Sequence, residues 1–157
     1  MKPVPFNSTV SDITHYVFEQ VLQLPLPDAV NINLYDGGLQ MVGWHSDNEP
    51  IFDCNDVRIY SLTLGDGRDF QLVRKDLRKT EGKFKRSTKP DPADVYTIHL
   101  GDGDLIGMAG LTQRHYDHQV GQAAASSGAR INLTWRYIKQ HCPGCASINS
   151  IEHLDID

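Results

Sequence analysis

Hydrophobic and polar residues alternate along this chain with two different periods. Between positions 10 and 22, Ile13, Val17, Phe18, Val21 and Leu22 recur at helical spacing on one face, and Ser11 or Asp12 stands where an N-cap would. The spacing predicts one helix there. Pro25 and Pro27 follow it and would end it, because proline lacks the amide donor a helix needs.

Beyond that point the period shortens to two. Strands are predicted over 30–35, 39–45, 57–64, 69–75, 95–100, 104–109 and 130–138, separated by Gly/Asp turns. Many short strands with a single helix predict a mainly β fold, a double-stranded β-helix (jelly roll) with the N-terminal helix packed outside. Leu105 and Met108 read as core. No repeat or low-complexity linker interrupts the pattern, so the 157 residues are expected to form one domain, 1–157.

Composition changes this picture little: 39% hydrophobic and 22% charged residues are ordinary for a globular protein. The longest apolar runs stop far short of the ~20 residues a membrane span requires, and the first ten residues lack the apolar core of a signal peptide. Cys54, Cys142 and Cys145 are odd in number and make no disulfide framework. The expectation is an intracellular monomer with no membrane association.

Charge adds one feature. The net charge is −5, against nucleic-acid binding through a global field, yet eight of the 15 Lys and Arg lie between Arg74 and Lys89. This stretch reads as an exposed hairpin or loop, either solvated or able to meet a phosphate backbone.

Candidate chemistry begins at His45-Ser46-Asp47. On an extended segment residues i and i+2 share a side, so one strand end can offer both to one ion. His118 is the best third ligand. His115, three residues earlier, would face the other way on a strand, and His15, His99 and His153 read as surface or structural. Two imidazoles and one carboxylate on one face of an octahedral metal leave room for a bidentate cosubstrate and O2, the arrangement of non-haem iron(II) oxygenases. By itself His-x-Asp arises readily by chance in a chain with seven histidines.

Support comes from RINLTWR. Arg130, Asn132, Thr134 and Arg136 alternate with Ile131, Leu133 and Trp135, giving one polar face with two guanidiniums and one apolar face. Two inward arginines suit a small dicarboxylate, since the guanidinium fork matches a carboxylate. Asn33 and Tyr35, again two apart, could bond the same anion.

With these blocks in place, the sequence resembles the AlkB-like family of Fe(II)/2-oxoglutarate-dependent dioxygenases. The resemblance runs from about Pro5 to Ile138 through NINLYDGG, GWHSDNE, SLTLGDGRDFQLVRK, LGDGDLIGMAG, QRHYDHQV and RINLTWR. It implies Fe(II), 2-oxoglutarate and O2 as the cofactor set, with His45, Asp47 and His118 as iron ligands. It further implies that Asn33 and Tyr35 contact 2-oxoglutarate, that Arg130 pairs with its distal carboxylate, and that Asn132 and Arg136 complete that pocket. Glu49 matches an acid that contacts the substrate base, Trp44 lines the substrate side or the core, and Arg74 and Lys75 open the segment that meets the nucleic acid.

The implied reaction decarboxylates 2-oxoglutarate to succinate, hydroxylates an N-methyl carbon and releases it as formaldehyde. The implied substrate is alkylated nucleic acid, DNA or RNA, as in DNA repair, with the target base turned out of the stack. Two other readings stay open: the same chemistry on a protein or small molecule, and a non-catalytic jelly-roll binding module. Only about thirty residues precede the Asn-x-Tyr strand, so the family's nucleotide-recognition lid is expected to be reduced or absent. In the tail, His141, Cys142 and Cys145 could begin a zinc site that lacks an evident fourth ligand.

Overall fold

The computed structural model describes residues 4–49, 58–78, 80–81, 85–86 and 89–138. The tail motif His141, Cys142 and Cys145, like Cys54 and His153, lies outside the described residues. Helix α1 (Ser8–His15) runs into a π-helical turn over Tyr16–Leu22. The helix starts earlier than the pattern predicts because Asn7, not Ser11 or Asp12, caps it: the Asn7 side chain accepts from the Val10 amide at 2.8 Å. It stops before the prolines, at Gln23, whose φ of 53° puts it in the left-handed region.

Ten strands follow among the described residues: β1 (Ala29–Asp36), β2 (Val42–His45), β3 (Ile59–Gly65), β4 (Arg68–Arg74), β5 (Thr80–Glu81), β6 (Lys85–Arg86), β7 (Val95–Leu100), β8 (Leu105–Met108), β9 (Tyr116–Val120) and β10 (Ala129–Arg136), with a short α2 (Thr112–His115) before β9. They form two four-stranded antiparallel sheets, ordered β1-β10-β3-β8 and β2-β9-β4-β7, facing each other as a jelly roll with the helix outside. The β5–β6 pair is the hairpin expected in the basic stretch.

Strand β2 is shorter than the predicted 39–45, and β9 is a strand the turn signals alone do not mark. His115 closes α2 rather than lying on a strand, which takes it out of register with His118.

Two clusters divide the core. Val17 and Phe18 pack on Leu62, Leu133 and Trp135, on the outer face of the first sheet, with Phe18 edge-on to the Trp135 ring at 5.4 Å. Trp135 Nε1 is satisfied by Thr14 Oγ1 at 2.9 Å. The second cluster lies between the sheets: Tyr35, Ile59, Phe70, Leu100, Met108 and Val120. Strand β10 serves both, with its apolar face under the helix and its polar face inside the barrel, where Arg130, Asn132 and Thr134 are buried.

Arg68 is 1% exposed, and its guanidinium donates to Gly37 O at 2.7 Å and Gly38 O at 3.0 Å. This clamps β4 of the second sheet to the turn after β1 of the first. Gly38 is obligatory there, since a Cβ would fall 1.7 Å from Ala124 O.

Candidate active site

His45 and His118 are direct partners across the β2–β9 ladder, and their rings lie 4.3 Å apart between centroids. Asp47 joins them from beyond the end of β2, not from the strand itself. The ligand atoms of His45, Asp47 and His118 lie within 4.8 Å of one another. His45 Nδ1 lies 2.8 Å from Gly43 O, and a carbonyl can only accept, so Nδ1 carries a hydrogen and Nε2 is the nitrogen that faces the other two residues. That Nε2 stands 3.8 Å from Asp47 Oδ1.

His118 is 5% exposed, and its Nδ1 has no hydrogen-bond partner among the described residues. Burial, then the neighbouring His45, lowers its pKa from 6.5 to about 4, so the imidazole is neutral at ordinary pH. Two imidazoles beside a buried carboxylate are a donor set for a divalent cation.

Asp47 is held at two points. Its amide donates to Gln113 Oε1 at 2.9 Å, and its Oδ2 accepts from Arg136 Nη2 at 2.7 Å. Oδ1 is thereby left toward the histidines.

The triad forms one side of a pocket of about 60 Å³, several times the roughly 10–15 Å³ a single water needs, so it takes a small multi-atom ligand. Asn33, Tyr35, Asn132, Arg130 and Arg136 line it, together with Ser61, Phe70, Met108 and Thr134. Arg130 is 1% exposed. It gives Nη2 to Thr63 Oγ1 at 2.9 Å, while its Nε and Nη1 have no partner among the described residues. Its guanidinium lies 5.1 Å from the Tyr35 ring centre. Burial lowers Arg130 and raises Tyr35 from their ordinary pKa values, so Tyr35 stays a neutral hydroxyl.

Asn132 is committed internally: Nδ2 donates to Ser61 Oγ at 2.7 Å and Leu62 O at 3.0 Å, and Oδ1 accepts from Thr134 Oγ1 at 2.9 Å. Asn33 stands exposed at the rim.

The residues assigned to substrate sit elsewhere. Trp44 turns away from the pocket, its ring covered by Arg78 at 5.8 Å. Arg78 pairs with Asp117 on the same side. Lys75 points inward, donating to Gln113 O at 2.7 Å. Arg74 is exposed and grips Asp76 through Nε and Nη2 at 3.1 and 2.6 Å. Glu49 is exposed two residues beyond Asp47. Residues that the motif reading missed are Gln113, Arg68, Arg78 and Asp117. Their partners are distant in sequence, so spacing carries no signal for them.

Two histidines, an aspartate and a buried arginine meet inside the jelly roll, a set that fits a single metal ion beside a small anion. The chain belongs to the 2OG-Fe(II) oxygenase superfamily, whose family model matches residues 3–136. Fe(II), 2-oxoglutarate and O2 are the cofactor set this membership brings, and His45, Asp47 and His118 are the group that fits the metal.

The chain is 36% identical over 115 residues to the DNA oxidative demethylase ALKBH2 of Arabidopsis thaliana, covering 68% of this chain and 36% of that protein. It is 31% identical over 146 residues to the alpha-ketoglutarate-dependent dioxygenase alkB homolog 3 of Rattus norvegicus, covering 93% of this chain and 44% of the relative. The chain thus spans less than half the length of either. The structure of OsALKBH1 matches with a TM-score of 0.59 at 19% identity, over 87% of this chain and 66% of that one, a likeness of fold. No helix among the described residues is long and apolar enough to cross a membrane.

Proposed function

We propose that this chain is an AlkB-like Fe(II)/2-oxoglutarate-dependent dioxygenase that oxidatively demethylates N-alkylated bases in DNA or RNA. The observation that carries the cosubstrate is Arg130: a buried guanidinium whose Nε and Nη1 have no hydrogen-bond partner among the described residues calls for a carboxylate. Tyr35, against Arg130, would donate to the same group.

Arg136 lies at the other end of the polar face, against Asp47. Five residues of extended strand separate the two arginines, roughly 20 Å between Cα atoms, and their long side chains reach toward one pocket. In this arrangement Arg130 takes the distal carboxylate and Arg136 orients both the ligand Asp47 and the metal-proximal end. When bound, iron and 2-oxoglutarate supply the oxidising chemistry. The chain contributes two imidazoles, an anchored carboxylate, and apolar walls from Phe70, Met108 and Val120.

The nucleic-acid substrate rests on the similarity to ALKBH2 and alkB homolog 3, and on the basic hairpin after β4. Incubating the protein with Fe(II), ascorbate, 2-oxoglutarate and methylated oligonucleotides should yield unmodified base and succinate. A second reading, a protein or small-molecule substrate for the same chemistry, draws on Lys75 facing inward and Arg74 gripping Asp76, which reduce the basic surface beside β4. Succinate without demethylation of any oligonucleotide selects that reading.

A further inference from the structure

Asp47 lies past the end of β2, so its amide has no ladder partner and its position is not set by the sheet. We propose that Gln113, supported by Lys75, is a positioning residue that holds Asp47 in place to ligate the metal. The proposal rests on the metal site of the preceding reading.

Gln113 is 1% exposed, in the middle of α2, which links β8 of the first sheet to β9 of the second. A buried primary amide is costly unless hydrogen-bonded, and an apolar side chain would fill the same space without that cost. Its acceptor meets the Asp47 amide at 2.9 Å, whereas its donor reaches only Met108 Sδ at 3.3 Å, a weak acceptor. The strong bond this side chain makes is therefore the one to the metal ligand.

Backbone and side chain of Asp47 are then fixed from different elements: the amide by α2, and Oδ2 by Arg136 on β10. With both ends held, the remaining oxygen has one direction left, toward His45 Nε2.

Lys75 extends the support. Its Nζ donates to the Gln113 carbonyl at 2.7 Å and lies 3.9 Å from Asp117 Oδ1, on the residue before the ligand His118. One cation thus ties α2 to β9, and supports the neighbours of two of the three ligands. Partners of this kind orient ligands and typically change metal affinity by about 10- to 100-fold when removed.

The test is a Co(II) titration of the metal-free full chain, without 2-oxoglutarate, followed by the metal's visible absorption and compared with the thermal midpoint of each apoprotein. Gln113→Met, close in shape but without the amide oxygen, should bind Co(II) about 10- to 100-fold more weakly. Gln113→Glu, which keeps an acceptor, should recover much of the loss. Lys75→Met should weaken binding in the same direction by a smaller factor.

Wild-type affinity in Gln113→Met, with only the thermal midpoint lowered, would make the residue merely structural and overturn the proposal. Should that variant fail to fold, an unchanged Co(II) affinity in Lys75→Met overturns it equally. Wild-type protein that binds no Co(II), or His45→Ala that binds it as tightly, would instead defeat the metal reading on which the proposal rests.

Discussion

The Arg136 guanidinium donates to Asp47 Oδ2 at 2.7 Å, joining the last strand of the first sheet to a metal ligand at the edge of the second. Both side chains are largely buried, at 12% and 8% exposure. Removing one member of a buried pair leaves the other charge uncompensated, at a cost of about 3–5 kcal/mol. Arg136→Met should therefore lower apoprotein stability by that order in a denaturant titration and raise the 2-oxoglutarate requirement. An unchanged unfolding midpoint would show that the pair contributes nothing to the folded state.

His45→Ala and Asp47→Ala should each reduce succinate formation from 2-oxoglutarate to the level of a protein-free control, while the circular dichroism spectrum stays that of the wild type. Full turnover in metal-free His45→Ala would defeat the oxygenase reading altogether.

Arg130→Ala should act on the cosubstrate. The two unpartnered guanidinium nitrogens make charge-assisted bonds worth roughly 1.5–3 kcal/mol each when a carboxylate arrives. The KM for 2-oxoglutarate should rise by about two to four orders of magnitude, with a smaller change in kcat at saturation. A KM within twofold of wild type would move the dicarboxylate elsewhere.

The apoprotein should lose stability on mild acidification. His118 titrates at about 4 when folded, against an ordinary 6.5, chiefly because it is buried. The unfolded chain thus takes up the proton first, so the His118 contribution is complete above about pH 6.5 and is lost on descending toward pH 4. The effect is on the order of 3 kcal/mol. Thermal midpoints measured across this window should fall in wild type and fall less in His118→Gln.

Arg74 separates the two substrate readings. It is exposed and its pair with Asp76 is solvent-screened, so a phosphate can draw it away at little cost. Arg74→Ala should weaken binding of a methylated oligonucleotide and lower the salt dependence by about one unit. No change in either, with succinate formation intact, would favour a substrate other than nucleic acid.

Much of the site was legible along the chain. The polar alternation in β10 predicted an inward face with Arg130 and Arg136, and the structure buries that face. Trp44 was open to a reading from the same rule: the residue before an inward His45 must turn outward, and it does so under Arg78. The rule failed at Asp47, which was expected to share a strand with His45. Strand β2 ends at His45, and the carboxylate reaches the metal position from a loop.

By itself, then, the sequence determined the jelly roll, through a period-two pattern broken by Gly/Asp turns, and the chemical identity of the triad and its arginines. Only the tertiary structure decided how those groups are held: Gln113 and Arg136 on Asp47, Lys75 turned inward, and Arg68 clamping the β1 turn. The reason is physical. Strand periodicity is local and set by which face meets water, whereas these hydrogen bonds join residues brought together by sheet pairing, dozens of positions apart.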